Sequence, residues 1–429
     1  GPVTRRPGTY FVSEIKTSSA KTRLIPFTFS TEQTYILEFG NNYIRFFKDS
    51  GQIVESNKTI TAITKANPAV VTSSSHGFEN GDFVTISAVV GMTEVNNTTF
   101  KVSNKTTNTF ELQDVDGNNI NSSSFTTYSS AGVANRIYQI TTEYTTAQLF
   151  DLKFAQSADV MYLCHPDHEP MKLSRTGHTS WSLTEVDFGI TGPYMDVNTT
   201  TTTLTPASAG TGTGVNITAS STTGINNDQG WLTTDVGRTI KFNGGEAEIT
   251  ARTNSTVVVC TIVEAFTNTD ATVAFQLGSF SNTTGFPSSV SFFEQRLVFA
   301  ATNDQPQTIF FSKSGDYENM SAGVNDDDAM VYTIASNQVN AIKSMKATRT
   351  LIVMTTGGEY SVSAGNASAI TPTNISIVKQ SNYGSAGVDA LSIGNATIFL
   401  QRAKRKIREL AYNFDTDGYV APDLTILAA

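Results

Sequence analysis

Apolar and polar residues alternate along most of this chain, and no window of helix length carries apolar positions at a 3.6-residue spacing. Thr, Val, Ile, Tyr and Phe fill the alternating runs, while strong helix formers are sparse. The pattern predicts an all-β protein. One unit recurs: an apolar strand, a short polar turn, a second strand and a polar break. It runs through 34–39, 40–42 and 43–47, then 159–164, 166–168 and 171–173, then 296–300, 303–306 and 308–311. Two further copies are 350–354 turning at 357–358 into 359–362, and 396–400 returning through 407–410.

The spacing of these copies predicts the organisation of the chain. Their starts at 34, 159, 296, 350 and 396 leave two short intervals and two long ones. Each long interval holds a block of different composition, residues 61–135 and 200–284. With the blocks set aside, the copies recur about every 50 residues, the length of a β-propeller blade. We therefore expect an all-β fold: a β-propeller-like body of strand-turn-strand blades, interrupted by two inserted small β domains. The body is expected from 1–60, 136–199 and 285–429. In the first insert, short strands punctuated by Gly77, Gly81, Gly91 and Asp116-Gly117-Asn118 predict a small barrel. The second opens on threonines 199–203 and Gly210, Gly212 and Gly214, which read as a flexible linker. Its strands follow at 239–242, 247–250 and 256–263.

Composition narrows the function classes. Of 429 residues, 38 are acidic and 29 basic, a net charge of −9, and only 16% are charged. Thr, Ser and Asn carry the polarity, and 26 phenylalanines provide material for a core. The acidic balance argues against wrapping nucleic acid. Two cysteines, Cys164 and Cys260, exclude a disulfide framework or a four-thiolate zinc site. Each sits in an apolar run and reads as a buried free thiol. Those runs are of strand length, far short of the roughly 18 residues of a membrane helix. Residues 1–7 hold no apolar stretch of the signal-peptide kind.

Few segments carry chemistry. Cys164-His165-Pro166-Asp167-His168-Glu169 has ligands soft enough for zinc, but with four histidines in the whole chain no fourth ligand is in view. The segment reads better as a hairpin tip. Asp114-Val115-Asp116-Gly117-Asn118 starts like a calcium loop, yet Phe125 stands where the bidentate glutamate belongs. Asp-Gly between strands is an ordinary hairpin turn. Asn325-Asp326-Asp327-Asp328 reads as a solvated or channel-facing acidic loop, with calcium as the alternative. The glycines at 210–214 lack the Lys-Ser/Thr of a phosphate-binding loop, and no nucleophile elbow or zinc-protease motif occurs. No cofactor is expected. The basic cluster Arg402, Lys404, Arg405, Lys406 and Arg408 is the candidate contact for a phosphate or an acidic partner. Its alternative is the solvated turn of the fifth repeat.

The chain resembles a known family at several motifs. They are Arg5-Arg6-Pro7-Gly8-Thr9, Arg23-Leu24-Ile25-Pro26-Phe27 and Tyr35-Ile36-Leu37-Glu38-Phe39. They continue at Gly285-Phe286-Pro287-Ser288-Ser289-Val290, Glu294-Gln295-Arg296-Leu297 and Phe311-Ser312-Lys313-Ser314-Gly315-Asp316-Tyr317-Glu318. The last is Asp417-Gly418-Tyr419-Val420-Ala421-Pro422-Asp423-Leu424-Thr425. Across them the chain is similar to tail nozzle (tail tubular protein B-like) proteins of short-tailed phages, the podoviruses. The first insert resembles the FCCH-type small β-barrel of ubiquitin-activating enzymes, which implies a fold and no ubiquitin chemistry.

The resemblance implies a non-enzymatic structural subunit of the virion tail. Copies would form a homo-oligomeric ring, a hexamer, lining a conduit for genome ejection. Its partners would be a tail adaptor protein below the portal, tail fibres or spikes, and the host envelope at the distal end. DNA would pass without sequence-specific binding. Arg5 and Arg6 would meet a neighbouring subunit. The family motif starts before this chain and continues past it, so a fragment is expected; Gly1-Pro2 also matches a protease scar. Two other classes compete. A tailspike-like glycan hydrolase needs two carboxylates about 5–10 Å apart, with Asp159, Glu169 and Asp304 on blade hairpins as candidates. A host-glycan-binding adhesin needs exposed aromatics, and the tryptophans are Trp181 and Trp231.

Overall fold

Five antiparallel sheets of one design recur along the chain. The computed structural model describes residues 8–30, 33–335, 339–365, 367–415 and 418–426. Sheet I orders Arg23–Thr28, Thr34–Gly40, Tyr43–Lys48 and Gln139–Thr141, with the short Gly51–Gln52 also pairing the third strand. Sheet II is Lys153–Ser157, Val160–His165, His168–Gly177 and Ser180–Glu185. Sheet III is Ser289–Phe293, Arg296–Ala300, Thr308–Phe311 and Met330–Thr333. Sheet IV is Ile342–Ala347, Leu351–Thr355, Gly358–Ser363 and Ser376–Ser381. Sheet V is Leu391–Ile393, Ala396–Leu400, Ile407–Asn413 and Gly418–Val420.

The strand pairs legible in the sequence are the two middle strands of every sheet. Middle strands are hydrogen-bonded on both edges and, in sheets III and IV, packed on both faces, so there they read as nearly unbroken apolar runs. Leu351–Thr355 is buried at every residue, as are Arg296–Ala300 and Thr308–Phe311. Outer strands such as Leu391–Ile393 and Ser376–Ser381 are exposed or half-buried and carry no such signal.

Successive side chains of a strand point to opposite faces, and this alternation stacks the later sheets. Val298 and Ala300 of sheet III share one apolar cluster with Leu351 and Val353 of sheet IV. Their neighbours Leu297 and Phe299 face the other way, onto Tyr162 and Cys164 of sheet II. Ile352 and Met354 in turn meet Phe399 and Leu410 of sheet V. First strands of consecutive sheets lie side by side, Lys153–Ser157 by Ser289–Phe293 and that strand by Ile342–Ala347. The buried Lys153 amine reaches Gly387 O at 2.6 Å and Asp389 Oδ1 at 2.8 Å, ahead of sheet V. These four-stranded meanders have the form of propeller blades. Both cysteines are free and buried.

Two larger sheets complete the fold. A seven-stranded sheet between Lys58 and Arg136 closes on its own core, including Ile63, Val84, Phe100 and Phe110. A six-stranded sheet between Leu204 and Leu277 does the same around Trp231, Ile240, Ile249 and Phe275. Each hangs on a paired stem. Val54 bridges Ile137, and Glu55 N–H donates to Arg136 O at 2.8 Å. Tyr194 bridges Gly278, with Met195 N–H to Leu277 O at 2.9 Å. The glycine-rich opening of the second block departs from the linker expectation. Gly212–Ala219 is a strand with a bulge after Gly212, and Thr202 is buried with its hydroxyl donating to Thr223 O at 2.7 Å. Neighbouring strands supply partners that a polar, glycine-rich string cannot reveal by itself.

The chain divides into two compact units, residues 1–150 with 174–183 and residues 151–173 with 184–429. Among the described residues the only helical elements are three single 3-10 turns, at Thr93–Val95, Gly189–Thr191 and Thr233–Asp235. None is long and apolar enough to cross a membrane.

Candidate functional surfaces

The segments around Glu294–Leu297 and Phe311–Glu318 meet around Arg296. The hairpin joining the first two strands of sheet III turns through Glu294 and Gln295, both with positive φ, which is the conformation of a tight two-residue turn. Arg296 follows and is buried. Its Nη1 donates to Ser312 O at 2.8 Å, Asp327 O at 3.2 Å and Asp328 O at 2.6 Å, and Nη2 to Asp326 O at 2.7 Å. The Ser312 hydroxyl accepts from Leu297 N–H at 2.9 Å. Asn325–Asp328 is therefore an acidic loop wrapped by its carbonyls around a guanidinium. Lys313 closes it from outside, 3.1 Å from Asp327, and holds that carboxyl below its usual range. Upstream, Gly285 has φ +76 and a Cβ there would meet Asn303, so only glycine fits.

The basic cluster is the turn between the middle strands of sheet V. Gln401 N–H donates to Lys406 O at 2.9 Å, and Lys404 takes a positive φ. Arg408 is buried, donating to Gln401 Oε1 at 2.9 Å and Ala421 O at 2.6 Å, with its guanidinium 3.5 Å from the Tyr383 ring centre. Arg402 donates to Thr356 O at 3.1 Å, and Lys406 pairs with Asp423 at 3.0 Å. The Thr425 hydroxyl and Lys406 pull the Asp423 carboxyl down to about 2. Arg402, Lys404, Arg405 and Lys406 are all exposed, and of these Arg402 and Lys406 are held by the contacts above. Arg5 and Arg6 lie outside the described residues.

Other candidate segments resolve into local structure. Cys164 and His165 end one strand of sheet II and His168 opens the next, with Asp167 N–H donating to His165 Nδ1 at 3.2 Å. Burial pushes the Cys164 thiol up and the His165 imidazole down. Asp114 Oδ1 accepts from Asn118 N–H at 2.8 Å and Asp116 N–H at 3.1 Å, closing a turn on itself. Among the described residues no group of three or more His, Cys, Asp or Glu side chains is arranged to hold a metal ion. Asp159 precedes Val160–His165 and Glu169 follows the turn at that strand's far end, about 17 Å away at 3.3 Å per residue. That exceeds the reach of a hydrolase pair.

Two concavities stand out in the second unit. A cavity of about 280 Å³ is lined by Asn226, Arg238, Thr284 and Asp304 among others. Arg238 is buried there, donating to Asn226 Oδ1 at 2.8 Å, Asp235 Oδ1 at 3.1 Å and Gly278 O at 2.9 Å. An open groove of about 460 Å³ lies where the first strands of sheets II, III and IV end, lined by Gln156, Phe292, Glu294, Tyr317 and Arg349. In the first unit, a buried cluster sits where sheet I meets the seven-stranded sheet. Tyr43 donates to Glu38 Oε1 at 2.5 Å, and the Arg45 guanidinium lies 4.6 Å from the Phe83 ring centre. Burial raises the Glu38 carboxyl. None of these three could be read from motif spacing, because each draws in residues distant in sequence, as Phe83 is from Glu38, Tyr43 and Arg45.

One surface had no signal as a site. On sheet V, register places Leu391, Ile398 and Glu409 on one face, with Ile393, Leu400 and Ile407 beside them. Leu391 and Ile393 are 61% and 62% exposed. On sheet I, Leu24, Pro26 and Ile36 form a smaller exposed apolar corner, with Leu24 64% exposed, on a face whose Glu38 and Arg45 are buried. The opposite face of sheet I is packed, with Trp181 against Phe27, Tyr35 and Phe46. Alternation was visible in these strands, but which face lacks a cover was not.

Comparison with known proteins gives one domain-level match. Residues 66–137 match the FCCH domain of ubiquitin-activating enzyme E1. No curated protein matches the chain. Three solved structures are weakly similar. A 6-phosphogluconolactonase-type protein from Bacteroides fragilis is 10% identical over 80% of this chain and 94% of its own, at TM-score 0.28. An auxiliary nutrient binding protein from Bacteroides ovatus is 9% identical over 86% and 71%, at TM-score 0.22. The endosialidase of phage phi92 is 9% identical over 92% of this chain and 54% of its own, at TM-score 0.21. The fold class rests on the strands themselves. The chain is thus an all-β protein that carries an E1 FCCH-like domain at residues 66–137.

Proposed function

We propose that the chain is a non-enzymatic structural subunit of a podovirus tail nozzle, forming a ring, a hexamer, that lines the conduit for genome ejection. The observation that carries this reading is the open apolar face of sheet V, since large exposed apolar patches mark surfaces that bind protein. Support also comes from the nozzle-like motifs at Glu294–Leu297 and Phe311–Glu318, which converge on Arg296. In this reading the ring seats on the adaptor below the portal, and fibres or spikes flank it. A low-resolution image of the chain bound to its adaptor tests it: a ring with a central hole is expected. A complex without a ring would overturn it.

A second reading follows from the open groove. Phe292 and Tyr317 beside Glu294 and Arg349 combine ring faces with hydrogen-bonding groups, the combination that grips a sugar. A host-glycan-binding adhesin, or a tailspike-like hydrolase, is then the alternative. Titration with host surface glycans decides: saturable binding lost in Tyr317→Ala favours it.

A further inference from the structure

We propose that the cavity between the six-stranded sheet and sheet III binds one neutral sugar ring, as a free hexose or as the end unit of a glycan. It rests on neither the ring reading nor the open groove. Every residue lining the cavity lies in one compact unit. One wall is the loop 224–229 with Arg238, and another is Thr284 with Asp304 of the sheet III turn. At about 280 Å³ the space falls just below the roughly 300–1,000 Å³ of small-molecule sites, which suits a single ring. The loop is held in advance: Asn226, Asn227 and Asp228 all take positive φ, which Asn and Asp tolerate, and Asp228 Oδ1 accepts from Gly224 N–H at 2.7 Å. A preformed wall lowers the ordering cost of binding.

The chemistry of the walls selects the ligand. Buried Arg238 spends its Nε and Nη1 hydrogens on Gly278 O, Asn226 Oδ1 and Asp235 Oδ1. Its Nη2 carries two more, and among the described residues it meets only the Met195 sulfur at 3.1 Å, a weak acceptor. Met195 lines the cavity too, so unused donor capacity borders the space. A buried donor without a good acceptor costs stability, which a ligand oxygen recovers. The Asp304 carboxylate and the Asn227 and Gln229 amides also line the cavity and make no hydrogen bond among the described residues. Charge excludes ions. Arg238 is already paired with Asp235 at 3.1 Å, so Asp304 leaves one net negative charge that repels a carboxylate or phosphate. A cation would have to lie beside the guanidinium. A hydroxyl accepts as well as donates, so a polyol serves the donor-only guanidinium and the acceptor-only carboxylate together. Met195, Leu232 and Leu277 offer apolar contact for the C–H face of such a ring.

The test is saturation-transfer NMR on the full chain with glucose, galactose and mannose, each free and as its methyl glycoside. Glucuronate and cyclohexanol serve as the charged and the apolar ring. Saturable binding of at least one hexose is expected, with neither control competing. Binding of the glycosides as well assigns the site to a glycan end, and binding of free sugars alone to a free hexose; both uphold it. Asp304→Ala is expected to weaken binding about tenfold, the worth of one hydrogen bond to a charged group. Its melting curve should not change, because Asp304 is exposed. Gln229→Ala, also at an exposed position, should weaken binding in the same direction. Tyr317→Ala in the open groove should leave binding unchanged. Binding lost in Tyr317→Ala and kept in Asp304→Ala would overturn this site and move the sugar to the groove. Glucuronate binding more tightly than every neutral hexose, or no saturable binding at all, would overturn the site while leaving the nozzle reading standing.

Discussion

Arg296 shows how one buried cation organises a region. It reads as a polar interruption in a strand, yet it collects carbonyls from Ser312 and from Asp326 to Asp328. Removing it leaves those carbonyls buried without a donor, and a lost hydrogen-bonded charge costs about 3 kcal/mol. Arg296→Met is expected to lower stability by that amount, read from urea unfolding by circular dichroism, while Lys313→Ala on the same loop is expected to leave the unfolding midpoint nearly unchanged because its ion pair is surface-exposed. Glu246 is a contrasting case. It is fully buried beside Tyr194 in the six-stranded sheet, and burial raises its carboxyl above the ordinary 4.5. A raised carboxyl favours the folded state when protonated and weakens it as pH climbs through the raised value. Glu246→Gln should therefore raise the melting temperature at neutral pH. The gain should shrink as melting is repeated toward pH 4.5.

At the scale of elements, the paired stems govern how the larger sheets attach. Val54 with Ile137, and Tyr194 with Gly278, bring entry and exit side by side. Adjacent ends allow a domain to be inserted or removed with little strain. Replacing residues 57–135 by a two-residue hairpin turn is expected to leave sheet I intact, and residues 55–138 alone should unfold cooperatively around their own core. Circular dichroism melting of the two products checks both, and loss of β signal in either would show that the stem is not a true boundary. The inner strand pairs were legible beforehand because burial on two faces writes a continuous apolar run in sheets III and IV, and burial on one face a clear alternation in sheet V. Outer strands were not, since a half-exposed strand of three residues looks like any polar loop.

For the molecule as a whole, charge is the remaining lever. The net charge of −9 is combined with a basic turn whose Arg402, Lys406 and Arg408 are already engaged by carbonyls, Asp423 and Tyr383. Within this turn Lys404 and Arg405 are the exposed cations not engaged by those contacts, and two charges are too few for the steep salt dependence of a DNA binder. Fluorescence anisotropy with a labelled duplex at 150 mM salt is expected to show no saturable binding. Tight binding abolished by Lys404→Gln with Arg405→Gln would instead make the turn a phosphate site.

Periodicity alone determined the strand class, the repeat of about 50 residues and the hairpin tips, because those depend on neighbours within a few residues. The tertiary structure decided which cations are bound and which are free, that the threonine and glycine run is a strand rather than a linker, and which apolar faces have no cover. Each of these is set by a partner far away in sequence: a carbonyl, a neighbouring strand or a stacked sheet. Alternation tells that a strand has an apolar face, but only the packed neighbours tell whether that face is already occupied.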